Sequence, residues 1–210
     1  MSQTERQRRL RLLIKKLNKE RKRQASKVDI LCNDLVGAQR DFMRRLNHVG
    51  FAARFYKGLL GAPDLRGLLV QACRLIREEL PGTRVVLFLR QAEDSEGRVY
   101  DDAELMAGPE DLKLEDCLTS SLAASICKSN RPCTMEDLLG MGLEGSREEL
   151  KRFSTATVPL SDLGRSLGFV LLCRVAEHPL GSDEIEKVAL VMCGLSQAIQ
   201  GFGVPLHSRQ

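Results

Sequence analysis

The first fifty residues of this 210-residue chain contain no proline, and apolar side chains recur in them with a seven-residue period. Two interleaved series of positions, spaced alternately by four and three residues, form a seam in which nine of twelve members are apolar. The two series are Leu10, Leu17, Gln24, Leu31, Ala38 and Arg45, and Ile14, Arg21, Val28, Leu35, Phe42 and Val49. A strict seven-residue period is typical of a coiled coil, because a straight helix with about 3.6 residues per turn drifts off such a seam.

The seam predicts a helix from about Thr4 to Leu60, which is about 80 Å long at about 1.5 Å per residue. A small domain cannot cover so long a stripe, so we expect two chains to associate in parallel through it. Three polar residues, Arg21, Gln24 and Arg45, interrupt the seam. A solvated, partly frayed helix before residue 28 is therefore the alternative, because like charges repel there.

Charge divides the chain into a basic arm and an acidic body. Residues 1–27 hold eleven Lys and Arg side chains against two Glu, whereas residues 51–210 carry a net charge of −5. The arm has the cations that phosphate binding requires, but the first aromatic side chain is Phe42, which disfavours stacking on single-stranded nucleic acid. We therefore expect the arm to be a solvated coiled-coil end, and nucleic acid is the less favoured partner.

The composition argues against several classes of protein. The longest apolar stretches fall far short of the roughly 18–20 residues that a membrane-spanning helix needs, and the basic N-terminus does not resemble a signal peptide. Seven cysteines without framework spacing indicate reduced thiols. We expect a cytoplasmic protein with no membrane association.

After Gly61, Ala62 and Pro63, the apolar pattern alternates between helical and strand periodicity. The pattern predicts a helix from Leu65, strands over 85–89 and 99–106, and a helix over 113–129. An extended piece over 131–135 and two short helices follow. The chain then forms strands over 153–160 and 167–175 around a turn at 161–165, and ends in a helix from Gly181. Short turns require antiparallel pairing. The expected fold class is α+β, an antiparallel sheet flanked by helices and preceded by a long N-terminal coiled-coil helix.

Several segments carry a family resemblance. Residues 65–89 lead a helix through Pro-Gly into an apolar strand, residues 129–133 read Ser-Asn-Arg-Pro-Cys, and residues 158–171 join Val-Pro-Leu through a turn to Gly-Phe-Val-Leu. With the final helix at 183–186, this order resembles the GAF domain family over about residues 55–203. The resemblance implies a GAF/PAS-like fold, with an arm and coiled-coil helix over 1–60, the GAF-like domain over 61–204 and a tail over 205–210.

The resemblance also implies a ligand pocket between the sheet and the segments that follow its third strand. Strand positions give the expected lining as Phe88, Tyr100, Arg152, Phe153, Thr157 and Phe169. Tyr100 and Arg152 are the polar candidates for orienting an anionic or carbonyl group. The sequence elements of family members that bind cyclic nucleotides are not matched, so the ligand and any cofactor stay unknown.

No catalytic residue and no metal site is predicted. The three histidines lie in the N-terminal helix or near the C-terminus, which leaves no oriented base for a nucleophile. The acidic loop that contains Asp94 and Glu96 places Arg98 where a calcium loop needs an oxygen ligand. Cys127 and Cys133 lie on either side of a helix-to-strand turn, and we favour inert core thiols over a redox pair.

The expected function is a non-catalytic sensory or regulatory module. It dimerises through the N-terminal helix, has a pocket suited to an unidentified small molecule, and signals to a downstream protein through helix packing. Two alternatives stay open at this point. One is a nucleic-acid-binding dimer that uses the basic arm, and the other is a thiol redox enzyme that uses Cys127 and Cys133.

Overall fold

A computed structural model describes residues 3–90, 98–100, 118–145 and 147–202. The first helix, α1, spans Gln3–Leu59, which agrees within a residue at each end with the helix expected from the seam. Gly61 follows with a φ of 93°, a conformation that ends a helix. The chain divides into two compact units between Asn47 and His48, so the last three turns of α1 belong to the second unit. The domain boundaries expected from the sequence stay a prediction.

The second unit alternates helices and strands in the expected order. Its elements are α2 (Leu65–Glu79), β1 (Arg84–Leu89), β2 (Arg98–Tyr100), α3 (Ser120–Ser129), β3 (Cys133–Thr134), α4 (Met135–Gly140), α5 (Arg147–Leu150), β4 (Phe153–Asp162), β5 (Arg165–Val175) and α6 (Ser182–Gly201). Asp64 caps α2, as predicted, because its carboxylate accepts a hydrogen bond from the backbone N–H of Gly67 at 2.6 Å.

The five strands form one antiparallel sheet in the order β2-β1-β5-β4-β3. The longest pairing is the β4–β5 hairpin, which extends from Phe153 opposite Val175 to Asp162 opposite Arg165. The apolar strand β1 lies inside the sheet, between β2 and β5, and the more polar β2 forms an edge. Both placements confirm what the composition of the two strands predicts.

Helices cover both faces of the sheet, and the strand residues alternate between them. On one face, called here the α1/α6 face, α2, α6 and the last turns of α1 pack against Leu87, Val170 and their neighbours. On the other, the α3/α4 face, α3, α4 and Leu150 of α5 pack against Phe88, Phe169 and their neighbours. The α+β class is confirmed, and the helices before and after the sheet share one face, as expected.

Three element ends differ from the prediction. The helix predicted over 113–129 begins at Ser120, because Thr119 is extended and its hydroxyl accepts a hydrogen bond from the N–H of Leu122 at 3.2 Å. The extended piece predicted over 131–135 is a strand only at 133–134. Residues 113–117 lie outside the described residues, as does the part of the predicted strand at 101–106.

The turn of the β4–β5 hairpin is shorter than predicted. Ser161 and Asp162 continue β4, so the turn consists of Leu163 and Gly164 alone. Both have positive φ, 46° and 82°, which is the geometry of a two-residue hairpin turn.

Gly168 allows two strands to approach closely. Its φ is 152°, and a methyl group on its Cα would overlap with the backbone carbonyl oxygen of Phe88 in β1. The residue lies beside a register shift between Leu160 and Ser161 in β4. Because the obstructing atom is backbone, the sheet would have to move to accept any side chain there.

We expect Gly168→Ala to lower the free energy of unfolding by at least about 2 kcal/mol, because the methyl group separates β1 from β5. Gly140→Ala is the matched control, since no heavy atom lies within 4 Å of the added methyl group. Urea denaturation at neutral pH measures both values. Equal stability of the two variants would contradict the close approach.

Candidate functional site

Two of the six expected lining residues, Phe88 and Phe169, stack on each other at the α3/α4 face. Their ring centroids lie 4.8 Å apart and their planes are inclined by 18°. They are paired across β1 and β5, and both are buried in the cluster that contains Leu122 and Ile126 of α3. The two rings therefore share one face of the sheet, and a ligand contact by Phe88 or Phe169 stays a prediction.

Thr157 lies on the same face, because it is paired with Leu171 in β5 and with Cys133 in β3. It is fully buried, and its hydroxyl has no hydrogen-bond partner among the described residues. An unpaired buried hydroxyl costs about 1–3 kcal/mol. This hydroxyl is therefore an unsatisfied polar group in the core of the α3/α4 face.

Phe153, a fourth expected residue, is half-buried at the start of β4 and lines an open cavity. The cavity has a volume of about 180 Å³ and is lined by Met135, Leu139, Leu150, Lys151 and Phe153. Its wall is apolar except for the exposed amine of Lys151. An apolar cavity with one cation at its side suits a small molecule that combines an apolar group with an anion.

Of the two polar candidates, Arg152 is not among the residues that line the cavity. Arg152 is exposed, and its backbone carbonyl accepts a hydrogen bond from the N–H of Ala176 at 2.7 Å. The side chain of Tyr100 lies outside the described residues, and its backbone pairs with Leu87. Ligand contacts by Arg152 and Tyr100 stay predictions.

Sequence reasoning missed four residues of the cavity wall: Met135, Leu139, Leu150 and Lys151. The sequence does contain one signal for these residues, the cap at the start of α4. There the N–H of Thr134 donates to the Asp137 carboxylate at 2.9 Å. That hydrogen bond, and one from Arg131 at 2.8 Å, hold the pKa of Asp137 below its usual value. The cap fixes where α4 begins, and so where Met135 and Leu139 lie.

Cys127 and Cys133 are both buried free thiols of the α3/α4 face. The thiol of Cys133 lies 3.3 Å from the hydroxyl of Ser129 and donates to the carbonyl of Arg131 at 3.3 Å. Buried thiols suit packing better than catalysis, which requires an accessible thiolate. In the ranges that the structure describes, no three His, Cys, Asp or Glu residues lie close enough to hold a metal ion.

The arrangement was compared with known proteins. The GAF domain of a phosphoenolpyruvate-protein phosphotransferase (ptsP) from Coxiella burnetii matches with a TM-score of 0.56 and 16% identity, covering 74% of this chain and 94% of that one. A segment of a methyl-accepting chemotaxis protein matches with a TM-score of 0.51 and 13% identity, covering 73% of this chain and 96% of that one. The A. aeolicus nlh2 GAF domain in an inactive state matches with a TM-score of 0.51 and 10% identity, covering 75% of this chain and 98% of that one.

The chain has a GAF fold. This confirms the resemblance drawn from the sequence motifs. No family model matches the chain, and no curated protein matches it. At these identities the likeness shows the fold and leaves the ligand and the activity to be argued from the residues. Among the helices that the structure describes, none combines the length and apolar content needed to cross a membrane.

The GAF-fold unit, which begins at His48, holds the end of α1 by apolar packing. Phe51, Phe55 and Leu59 are buried on the α1/α6 face. The two phenylalanine rings contact each other with centroids 5.7 Å apart. Beside them, Tyr56 lies so close to Gly194 of α6 that any side chain at Gly194 would overlap with the tyrosine ring. Burial in this contact raises the pKa of Tyr56.

Polar contacts hold the same end of α1. The carboxylate of Glu79 in α2 accepts hydrogen bonds from Arg54 of α1 at 2.7 Å and from Lys187 of α6 at 2.9 Å. Six residues before Arg54 in α1, the ring of His48 lies 2.9 Å from the carboxylate of Asp183 at the start of α6. Three helices are therefore joined through one carboxylate, and a second contact fixes α1 where it leaves the unit.

The pKa of Glu79 reflects two opposing effects. Partial burial raises the pKa, but the hydrogen bonds and charges of Lys187 and Arg54 outweigh it and hold the pKa below its usual value. A carboxyl whose pKa is lower in the folded state stabilises the fold above its unfolded pKa. That stabilisation is lost as the pH falls through the folded pKa.

We expect Glu79→Gln to lower the free energy of unfolding by about 1 kcal/mol at pH 7, and this difference should shrink towards zero below about pH 4. Glu78→Gln is the control, because Glu78 forms an exposed ion pair with Arg74 at 3.5 Å and its loss should cost little. Urea denaturation of wild type and both variants between pH 7 and 3.5 measures the effect. A pH-independent difference would contradict the ion-pair interpretation.

Proposed function

We propose that this chain is a non-catalytic regulatory module that dimerises through α1. A small molecule bound on the α3/α4 face would bias the packing of the two α1 helices, and a downstream protein would respond to that packing. The observation that carries the proposal is that one continuous helix is both a core element of the GAF-fold unit and the bearer of the apolar seam.

Exposure of the seam supports dimerisation. Leu31 and Leu35 are 66% and 69% exposed, and the other apolar seam residues from Leu10 to Val49 are exposed as well. Burying one leucine side chain contributes about 1.5–3 kcal/mol, so a stripe of this length is strongly favoured to find a partner surface. A second copy of the same helix fits best, because the seven-residue spacing matches itself in parallel.

The wall of the cavity supports small-molecule binding. Lys151 supplies a cation beside the apolar side chains of Met135, Leu139 and Phe153. We propose an occupant that combines a small apolar group with a carboxylate or similar anion. Arg152 and Tyr100, the polar residues expected from the sequence, remain candidates for further contacts with it.

A regulatory role, rather than catalysis, is favoured by the residues themselves. The two thiols considered for redox chemistry, Cys127 and Cys133, are buried. The ring of His48 is hydrogen-bonded to the carboxylate of Asp183. Among the similar structures, one belongs to a chemotaxis protein and one is a GAF domain described in an inactive state. Free, reduced thiols also support a cytoplasmic location for this chain.

Such a module works only if its ligand distinguishes two arrangements of α1. A ligand with equal affinity for both shifts nothing, whatever its affinity. Useful coupling between two sites is typically about 1–3 kcal/mol. The contacts of Tyr56 with Gly194 and of Glu79 with Lys187 are the described contacts that would have to change.

We expect wild type to behave in solution as a particle of twice 23.4 kDa, and Leu31→Asp with Leu35→Asp to be monomeric, because two charges then lie in the seam. Ile30→Asp with Val36→Asp is the matched control. These residues are also exposed, 57% and 45%, but lie off the seam. Light scattering coupled to gel filtration measures the masses, and a monomeric wild type would contradict the proposal.

Cross-linking tests the parallel arrangement. In a Cys32→Ser, Cys193→Ser background, Leu35→Cys and, separately, Phe42→Cys should each form a disulfide-linked dimer under mild oxidation. In a parallel pair of helices, each of these residues faces the same residue of the other chain. In an antiparallel pair, only one of the two sites at most can face its own counterpart. Val36→Cys, off the seam, is the control and should cross-link poorly.

Benzoate is a probe for the proposed cavity, since it joins one apolar ring to a carboxylate. With methyl-labelled methionine, titration should shift the Met135 resonance saturably, and Lys151→Met should weaken the apparent affinity several-fold. Lys128→Met, on the surface of α3, is the matched control and should leave it unchanged. An unsaturable shift, or equal loss in both variants, would contradict an anion site at Lys151.

A further inference from the structure

Six of the eleven cations of the arm lie together on one side of α1. Because α1 is uninterrupted over this region, residues seven apart lie on one face. Two adjacent positions in three successive heptads are all basic, on the side opposite the apolar seam. This basic stripe consists of Arg8, Arg9, Lys15, Lys16, Lys22 and Arg23, and every member is exposed.

The basic stripe is scarcely neutralised from within the arm. Residues 6–27 contain eleven Lys and Arg side chains and one acidic residue, Glu20. Glu20 approaches Arg23 at 3.9 Å, and both side chains are more than half exposed, so this pair is weak. Over about 22 Å, the distance from Arg8 to Arg23 at about 1.5 Å per residue, the face presents a continuous row of cations.

We propose that the basic stripe binds the phosphate backbone of double-stranded DNA. The sequence alone favours a solvated coil end for this arm. The placement of the basic stripe on one face of the helix favours phosphate binding instead. Cations spread around a helix would only solubilise it. Cations aligned on one exposed face match a duplex, which carries one negative charge per about 1.7 Å of its axis.

The composition of the arm distinguishes duplex DNA from other polyanions. Residues 3–41 contain no aromatic side chain on which single-stranded bases would stack. The major groove of double-stranded RNA is too narrow to admit a helix. A helix that lies on a membrane buries an apolar face rich in Trp, Phe or Leu on the side opposite its cations, whereas in this arm Arg21 and Gln24 interrupt the apolar seam and no aromatic residue precedes Phe42.

The stripe is compatible with the proposed dimer. The seam is apolar at Val28, Leu31, Leu35 and Phe42, whereas Arg21 and Gln24 interrupt it within the arm. Two helices joined downstream can therefore separate along the arm and present one basic stripe each, as basic regions ahead of a coiled coil do. Contacts to phosphate carry no base information, so we infer binding without sequence preference.

The test uses the full chain, freed of co-purified nucleic acid, and a labelled duplex of about 30 base pairs and mixed sequence. With six phosphates neutralised per helix, each bound arm should contribute a fall of about 1,000-fold in the association constant between about 50 and 200 mM salt. Replacing Arg8, Arg9, Lys15 and Lys16 by Ala leaves two stripe cations, so that fall should shrink to about 10-fold. Alanine preserves helix propensity, which circular dichroism checks.

The matched control removes the same charge from the other unit. Lys57→Ala, Arg66→Ala, Lys128→Ala and Arg165→Ala replace four exposed cations, and this variant should keep the salt dependence of wild type. Equal weakening of both variants, or no binding at about 50 mM salt, would overturn the proposal. Stripe-dependent binding to phosphatidylserine vesicles or to structured RNA, without binding to duplex DNA, would overturn it as well.

Discussion

The architecture depends on the burial of one side of the last three turns of α1. Phe51 and Phe55 are buried in the core of the GAF-fold unit, whereas Val49, two residues before Phe51, is exposed. A helix turns by about 100° per residue, so these neighbours face in different directions. Burying each phenylalanine contributes about 1.5–3 kcal/mol, which makes the end of α1 part of the unit. The helix that bears the apolar seam therefore ends inside the core of the GAF-fold unit.

Most of the fold could be predicted because proline and glycine act through the backbone alone. Gly61, Pro81 and Gly164 mark the ends of elements wherever the chain later packs. The ends that were predicted wrongly depend on which of several neighbouring residues forms the pair or the cap. Asp162 belongs to β4 only because Arg165 pairs with it across the hairpin, and Thr119 is a cap only if α3 begins after it. Local composition does not contain either choice.

The candidate site divides in the same way. Phe88 and Phe169 were found from strand alternation, since a period of two places both on one face once the register is right. Lys151 was missed in favour of Arg152, its neighbour, because the cavity forms where α4 passes the start of β4. That meeting joins residues about sixteen positions apart, such as Met135 and Lys151, across a segment with no clear period. Only tertiary packing decides which cation faces the cavity.

In the proposed module, a signal from the cavity would have to cross the sheet, because the cavity and the end of α1 lie on opposite faces. Strand β4 connects them: Thr157 faces α3, whereas Val158 packs on the side of α6. Helix α6 in turn contacts α1 through Gly194 and contacts α2 through Lys187. A close-packed interior transmits a displacement of β4 rather than absorbing it. A ligand that fills the cavity without moving β4 has equal affinity for both arrangements of α1, so affinity alone does not make it a signal.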